Sequence, residues 1–282
     1  MIHALSTHLF VNHRLTTALL NRIERAGILQ VEIFCARQHL DYRANAQIAE
    51  LGHWFRDSQM QLHSLHGPMY TDEIWGRSGP HAVVRITEPV KSQRLKMVDE
   101  IKRALEIAEV IPFKYFIQHI GVGGEEFDPR KVDAAFSALE ELSLFARQRG
   151  VEILLENIPN SLSSAERLRT FEELTHLGLN YVFDTGHANI SSEGISAAFD
   201  LMKEKIRSTH IHDNDGKADI HLFPFLSPGG TINWKETMRL LRSRPGQYPL
   251  MLELKEDPNF SQPLETVKEI FERLEAQEQE DQ

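Results

Sequence analysis

Eight short apolar runs alternate along the chain with amphipathic segments of helical spacing. The runs lie near residues 2–6, 28–34, 61–66, 114–119, 151–156, 180–184, 207–212 and 249–254. Between them, segments 95–110 and 132–149 repeat apolar residues at steps of three and four, as amphipathic helices do, and further helices are predicted at 164–177, 192–205, 234–241 and 264–274. This alternation predicts an α/β fold, a (β/α)8 TIM barrel, with a doubly wound open sheet as the alternative.

Six of these runs contain a stretch that ends in a side chain able to bind a metal ion, where a buried strand would stop. In a barrel of parallel strands, the C-terminal ends of all strands open onto one face, so such side chains converge there. Histidines and carboxylates together form a ligand set for a hard or borderline divalent cation. An open sheet gives no reason for this regularity, so the pattern favours a barrel with a metal site at its mouth. The six residues are His66, His119, Glu156, Asp184, His210 and Glu253.

Length and composition predict one domain in a reducing compartment. The 282 residues suit a barrel, which typically needs about 250, and only an acidic tail at 275–282 is expected to fray. The single cysteine excludes an internal disulfide framework, and we find neither a secretory signal nor a run of about 18 apolar residues. A net charge of −10 disfavours a broad nucleic-acid surface. We therefore expect a cytoplasmic protein with no membrane association.

Further candidate residues follow the sixth and seventh predicted strands. His187 lies three residues after Asp184, across a Thr-Gly turn, so both side chains can face one cavity. Strand alternation puts His210 and His212 on the same side; His210 is the stronger ligand candidate, and His212 is expected to anchor the loop at the rim. Asp219 and His221 either bind a metal or are solvated loop residues, and the sequence leaves both interpretations open.

Two connections are unusually long, at 67–89 and 213–230. Structureless connections beyond about 12–15 residues are uncommon unless they are functional. These loops are therefore either poorly ordered or walls over the metal site. Two other features carry less weight. Gly121–Gly124 does not match a dinucleotide-binding fingerprint and is interpreted as a flexible turn, and Cys35 is interpreted as a buried thiol.

The motifs at the predicted strand ends resemble those of the xylose-isomerase-like barrel superfamily. They read LHG, QHIGV, LLEN, FDTGHANI, HIHDNDGKADIH and LELK, and the resemblance spans roughly residues 60 to 255. That superfamily includes sugar isomerases, 3-epimerases, inosose dehydratase and endonuclease IV. The segment after His210 is most similar to the sugar phosphate isomerase/epimerase branch, although Ser-Pro-Gly-Gly replaces the more usual Gly-Glu-Gly.

The resemblance implies two alternative metal sites. In the isomerase and epimerase members one divalent ion is bound by two Glu, one Asp and one His, which match Glu156, Asp184, His210 and Glu253; the two Glu also exchange protons with the substrate. Manganese, zinc, cobalt and magnesium all suit these ligands.

The endonuclease member instead binds three zinc ions through nine ligands, and each position has a candidate in this chain. Glu156 would bridge two ions, and in mononuclear relatives the additional histidines can instead bind sugar hydroxyls. The five residues that would be substrate-binding or additional metal ligands are His66, His119, His187, Asp219 and His221.

We therefore predict a metal-dependent sugar or sugar phosphate isomerase/epimerase. Glu156 and Glu253 would transfer the protons, through an enediolate that a Lewis acid stabilises. The alternatives are a dehydratase-like lyase and an endonuclease IV-like zinc phosphodiesterase, and a non-catalytic binding barrel is a third class. The predicted partner is a small-molecule sugar. The sequence leaves open the particular sugar, the number of ions and whether the chain forms a homo-oligomer.

Overall fold

The strands form a barrel of eight parallel strands. The structure is a computed structural model and describes residues 1–277. The predicted (β/α)8 barrel is confirmed. The strands are β1 (His3–Ser6), β2 (Gln30–Phe34), β3 (Gln61–His66), β4 (Tyr115–Gln118), β5 (Glu152–Glu156), β6 (Asn180–Asp184), β7 (Ile206–His210) and β8 (Leu250–Leu252).

The strands pair in chain order, and β1 also pairs with β8. The barrel closes between β7 and β8 through a single parallel bridge, which joins Ile211 to Leu252. Here the Ile211 amide donates to the Met251 carbonyl at 2.8 Å, and the Glu253 amide donates to the Ile211 carbonyl at 3.2 Å. The predicted ligands His119 and Glu253 therefore stand one residue beyond the ends of β4 and β8.

Nine α-helices surround the strands within residues 1–277, and none of them is long and apolar enough to cross a bilayer. Six match predicted segments, whereas the first two and a short sixth helix were not predicted. The helices are α1 (Thr17–Arg25), α2 (Asn45–Asp57), α3 (Lys91–Leu105), α4 (Pro129–Arg147), α5 (Ala165–Thr175), α6 (Thr185–Ile190), α7 (Gly194–Met202), α8 (Trp234–Arg242) and α9 (Pro263–Ala276).

The predicted tail at 275–282 begins inside α9. Glu275 and Ala276 are helical, and the Glu275 carboxylate lies 2.8 Å from His3 Nε2. The helix thus continues two residues into the predicted tail, and the fraying of that tail stays a prediction. Residues 278–282 lie outside the described part of the chain.

Alternation along the strands separates the helix-facing core from the barrel interior. Phe116, Leu155 and Phe183 belong to the large core cluster that includes residues of the surrounding helices. Ile117 and Leu154 belong to a smaller buried cluster on the other face of β4 and β5. Side chains two residues apart share a face of a strand. The residues two positions beyond this small cluster therefore also face the barrel interior, at its C-terminal mouth. They include His119, Glu156 and Asp184.

Candidate metal centre

Nine predicted residues come together at the C-terminal mouth of the barrel, and His212 joins them. Within the described residues, they form three groups, in each of which the possible ligand atoms lie within 4.8 Å of one another. We call them the inner, middle and outer groups. The inner group is Glu156, Asp184, His210 and Glu253; the middle group is His66, His119 and Glu156; the outer group is His187, His212, Asp219 and His221.

The inner group is fully buried and is centred on His210. Its Nδ1 atom lies 3.2 Å from Glu156 Oε1, 3.3 Å from Glu253 Oε2 and 3.8 Å from Asp184 Oδ2. All four side chains come from the ends of different strands or from the residue that follows. Three buried carboxylates this close together repel one another unless a positive charge lies between them.

The middle group shares Glu156 with the inner group. Glu156 Oε2 lies 2.9 Å from His119 Nε2 and 3.6 Å from His66 Nε2, whereas Oε1 faces His210. The two Nε2 atoms of His66 and His119 are 3.1 Å apart. Glu156 therefore presents one carboxylate oxygen to each of the two groups, as a residue that contributed to both would.

The outer group is built around Asp219, in the long loop after β7. Asp219 Oδ2 lies 3.1 Å from His187 Nε2, and Oδ1 lies 3.2 Å from His221 Nε2 and 3.9 Å from His212 Nε2. Asp219 is 39% exposed. His187 lies in α6, whose N-terminus is capped by the Asp184 carboxylate through the His187 amide at 2.6 Å.

His212 differs from the prediction of a rim residue that anchors the loop. Its side chain is fully buried, and its Nε2 lies 3.2 Å from Asp184 Oδ2, so it connects the inner and outer groups. It also stacks on His221 at 3.8 Å between ring centroids. A Cβ at position 186 would lie 2.0 Å from His212 Cε1, so only Gly186 allows this ring to approach α6. Strand alternation therefore predicts the face on which His212 lies, but not that its side chain is fully buried.

Main-chain carbonyls orient four of these histidine rings. The Nδ1 atoms of His66, His187 and His221 each lie 2.9 Å from a carbonyl oxygen, and that of His212 lies 3.3 Å from one. A carbonyl oxygen can only accept, so each Nδ1 must carry the proton. In the neutral ring, the Nε2 lone pair is then available to a metal ion, an arrangement that is typical of metal-ligating histidines.

These observations fit a divalent cation. His210 Nδ1 is buried and makes no hydrogen bond within residues 1–277. The Nε2 atoms of His66 and His119 face each other, which requires a proton or a metal ion between two acceptors. The imidazole and carboxylate donors suit zinc, manganese or cobalt, and magnesium is acceptable where oxygen predominates. Both the mononuclear and the trinuclear ligand sets that the sequence implied have the necessary side chains at this mouth.

The pKa shifts show how the site balances its charge without an ion. Burial acts to raise the pKa of Glu156, but His210 and His119 outweigh this and hold that pKa well below its ordinary value. Burial acts to lower the pKa of His210, but Glu253 and Glu32 outweigh this and raise it well above its ordinary value. Ionised carboxylates are thus balanced by protonated histidine. A divalent ion would compete with those protons for the same atoms.

Two residues near the site were missed in the sequence. Glu32, in β2, is fully buried with its carboxylate 3.2 Å from His210 Nε2. His8, just after β1, donates from Nδ1 to the Leu254 carbonyl at 3.0 Å and packs against the His221 ring. For Glu32 a signal was available, because a carboxylate within the apolar run 30–34 is costly to bury without a partner. His8 had no comparable signal.

The long loop after β3 packs along one side of the mouth. It contains an antiparallel bridge between Tyr70 and Val83. Trp75 of this loop packs on Phe34 at 5.1 Å and on His8 at 5.6 Å between ring centroids. This arrangement agrees with the prediction of a wall at the mouth.

The loop after β7 is held by the carboxylate of Asp213. Asp213 Oδ1 accepts from the Thr231 and Ile232 amides at 3.0 and 3.1 Å, and Oδ2 accepts from Trp234 Nε1 at 2.8 Å. A Cβ at Gly230 would lie 2.6 Å from Asp213 Oδ2, which explains the glycine there. Asp213 therefore fixes the loop that carries Asp219 and does not itself belong to the metal-capable groups.

The two discounted features have structural roles. The Val122 amide, in the Gly121–Gly124 turn, donates to Glu125 Oε2 at 3.0 Å, and Thr87 donates to Glu125 Oε1 at 3.1 Å. Glu125 therefore uses this amide and connects the turn to the loop after β3. Cys35 is buried, and burial followed by the charge of Glu32 raises the pKa of its thiol, which disfavours a nucleophilic role.

The chain belongs to the family of xylose isomerase-like TIM barrels, whose family model matches residues 20–277. The predicted superfamily is thereby confirmed.

Solved structures share the whole fold at low sequence identity. A D-tagatose 3-epimerase-like protein has a TM-score of 0.75 at 22% identity, covering 98% of this chain and 97% of that one. The IolI protein with a bound zinc atom has a TM-score of 0.78 at 16% identity, covering 97% and 98%. A relative in sequence is the probable endonuclease 4 of Natronomonas pharaonis, 27% identical over 152 residues, which are 49% of this chain and 53% of the relative.

Proposed function

We propose that this chain is a divalent-metal-dependent isomerase or epimerase that acts on a sugar or sugar phosphate. The observation that carries the proposal is the pair Glu156 and Glu253. Their carboxylates approach the same atom, His210 Nδ1, at 3.2 and 3.3 Å from the ends of β5 and β8. Two carboxylates at one buried position provide one base to remove a carbon-bound proton and another to return it.

The inner group would hold the ion. Glu156, Asp184, His210 and Glu253 supply three carboxylates and one imidazole. The bound ion would act as a Lewis acid toward the carbonyl and hydroxyl oxygens of the sugar, which makes the neighbouring C–H more acidic. Glu156 and Glu253 would then move protons to and from that carbon, and the enediolate between the two transfers accounts for either epimerisation or aldose–ketose isomerisation.

The histidines around the inner group would orient the sugar. His66 and His187 have Nδ1 fixed by a main-chain carbonyl, so in the neutral ring Nε2 would accept a hydrogen bond from a sugar hydroxyl; in the metal-free chain His187 Nε2 instead donates to Asp219 Oδ2 at 3.1 Å. His119 is the more accessible of the two histidines in the middle group. The D-tagatose 3-epimerase-like neighbour supports this substrate class for the fold.

Turnover of candidate ketoses in D₂O tests the reaction. Carboxylate proton transfer predicts deuterium at the carbon whose configuration changes, because the carboxyl proton exchanges with solvent. Glu253→Gln should reduce the rate by about 10²–10⁴-fold, the usual contribution of general acid–base catalysis. Glu256→Gln is the matched control, because Glu256 is exposed and contacts His13. Product without deuterium would indicate a hydride shift or a base that is shielded from solvent.

A second candidate is phosphodiester cleavage at a three-metal site. The observation that favours it is the middle group. There Glu156 Oε2 lies beside the facing Nε2 atoms of His66 and His119, which gives three possible ligand atoms for a second ion. The endonuclease 4 relative agrees with it. Against it, the loop 67–90 carries three acidic and two basic side chains, and the loop 213–230 carries three acidic and one basic. This charge disfavours binding of a polyanion at the mouth.

Metal content and substrate distinguish the two candidates. One ion per chain with sugar turnover supports the isomerase. Three ions per chain with cleavage of DNA at abasic sites, and no turnover of any sugar, would replace the isomerase by the phosphodiesterase.

A further inference from the structure

The ring of His210 is held by a charged group, unlike the rings that are held by carbonyls. Its Nε2 lies 3.2 Å from Glu32 Oε1 and 3.3 Å from Glu32 Oε2, so the ring nitrogen is nearly equidistant from both carboxylate oxygens. Both side chains are fully buried. An ionised carboxylate can only accept, so Nε2 carries the proton and donates it to Glu32.

Glu32 is itself fixed by two hydroxyl groups. Ser6 Oγ donates to Glu32 Oε1 at 3.0 Å, and Ser64 Oγ donates to Glu32 Oε2 at 2.8 Å. The three residues are in register across β1, β2 and β3, since Ser6 pairs with Glu32 and Glu32 pairs with Ser64. Each carboxylate oxygen thus receives one hydroxyl hydrogen, and the remaining lone pairs face His210. The three strands present this carboxylate across the barrel interior from β7.

This arrangement determines which ring nitrogen of His210 is left without a hydrogen bond. With Nε2 engaged by Glu32, the opposite nitrogen, Nδ1, faces the carboxylates of Glu156, Asp184 and Glu253 and makes no hydrogen bond within the described residues. A ring flip would place a carbon beside Glu32 and bury its charge with one partner fewer, which is costly. Glu32 therefore selects Nδ1 as the atom presented to the inner group.

We propose that Glu32 is the positioning residue of the metal centre: it fixes the ring of His210 with Nδ1 as the ligand atom. This inference rests on the proposal that the inner group binds a divalent ion, but not on the identity of the substrate. A carboxylate accepts a stronger hydrogen bond than a carbonyl does, which makes the ligand nitrogen more basic. His210 is accordingly the histidine whose affinity for the ion depends most on a residue outside the three groups.

Metal affinity and the coordinating atom test this role. We would load the wild type, Glu32→Gln and Glu32→Ala with zinc, measure zinc affinity by competition with a chelator, and record long-range proton–nitrogen NMR spectra. The His210 signals can be assigned by their loss in His210→Asn. Wild type should show a proton on Nε2 and zinc on Nδ1. Affinity should fall about 10–100-fold in Glu32→Ala, the typical effect of removing such a partner, and less in Glu32→Gln.

Glu100→Gln provides the matched control, because Glu100 is a buried carboxylate bonded to Tyr42 and Arg43, away from the metal-capable groups. Its zinc affinity should equal that of wild type. If Glu32→Ala does not fold, Glu32→Gln decides the matter, since it keeps the shape and removes the charge. Unchanged affinity in Glu32→Gln and in any folded Glu32→Ala, or zinc on Nε2 of His210 in wild type, would overturn the assignment. The expected zinc result without turnover of any sugar would refute only the proposed reaction.

Discussion

The inner and outer groups differ in how the fold supports them. The four inner residues stand at the ends of β5, β6, β7 and β8, and none is more than 2% exposed. The outer group depends on Asp219, which is 39% exposed and lies in the loop after β7. Side chains on a strand framework are held more rigidly than those on loops. The strands therefore hold the inner group in place without help from the loop, whereas the outer group exists only while the loop keeps its conformation.

The largest expected effect comes from the residue that joins the inner and middle groups. Glu156→Gln removes a negative ligand and a base together, so metal content should drop and turnover should fall by about 10²–10⁴-fold. The metal-free fold should persist, because the carboxylates of Glu253 and Glu32 still face His210. Elemental analysis, activity assays and circular dichroism would measure these effects. Full metal content with full turnover would refute the assignment of Glu156.

A smaller effect is expected when the outer group alone is changed. Asp219→Asn keeps the shape of the loop and removes the charge that faces His187 and His221. The inner ion should remain bound, and substrate affinity or turnover should fall by about tenfold, as for other groups that support a metal site. Measuring ions per chain beside turnover tests this. Loss of all metal would show that the inner group depends on the outer group, and would refute the inference that the strands alone hold the inner group in place.

The smallest effect is a pH dependence of stability in the metal-free protein. Burial acts to lower the pKa of His221, but the Asp219 carboxylate outweighs it and raises the pKa to about 9. A raised pKa stabilises the fold fully below the ordinary value near 6.5, and this contribution is lost as pH rises through about 9. Melting temperature should therefore fall by several degrees between pH 6.5 and 9.5, because each unit of the pKa shift corresponds to about 1.4 kcal/mol and each kcal/mol to a few degrees.

The matched variant for this measurement is His221→Gln, in which the fall between pH 6.5 and 9.5 should be reduced. The control is the same change at His176, His176→Gln, because this histidine lies at the end of α5, away from the mouth. An unchanged pH profile in His221→Gln would show that the ion pair with Asp219 does not contribute to stability.

The sequence predicts the barrel well because its two periodicities are strong. Helices such as 132–149 have apolar residues at helical spacing, and short apolar runs such as 151–156 are identified as strands by their length and by the turn residues that bound them. The helix α1 was not predicted, although Thr16 caps it by accepting from the Leu19 amide at 3.3 Å. Its buried residues Leu19, Leu20 and Ile23 have helical spacing, so the sequence carried a signal for this helix that was overlooked.

The sequence identifies most residues of the candidate site, but not which of their atoms face one another. Strand ends in sequence identify His66, Asp184 and Glu253, because a parallel barrel brings all such ends to one face. The role of Glu32 depends on the register between β1, β2 and β3 and on the distance across the barrel to β7, and a single sequence encodes neither directly. The depth of His212 likewise depends on Gly186, whose lack of a side chain has meaning only once α6 is placed beside the loop.

The closure of the barrel has a consequence for its resilience. β7 and β8 pair through one main-chain bridge, between Ile211 and Leu252, and the Thr209 hydroxyl adds a bond to the Pro249 carbonyl and one from the Met251 amide. His210 stands on one side of this seam and Glu253 on the other. We expect an ion bound by both to act as a fastener across the seam, because binding energy that needs the closed barrel is also folding energy. A bound ion would then stabilise the closure of the barrel between β7 and β8 as well as supply the proposed chemistry.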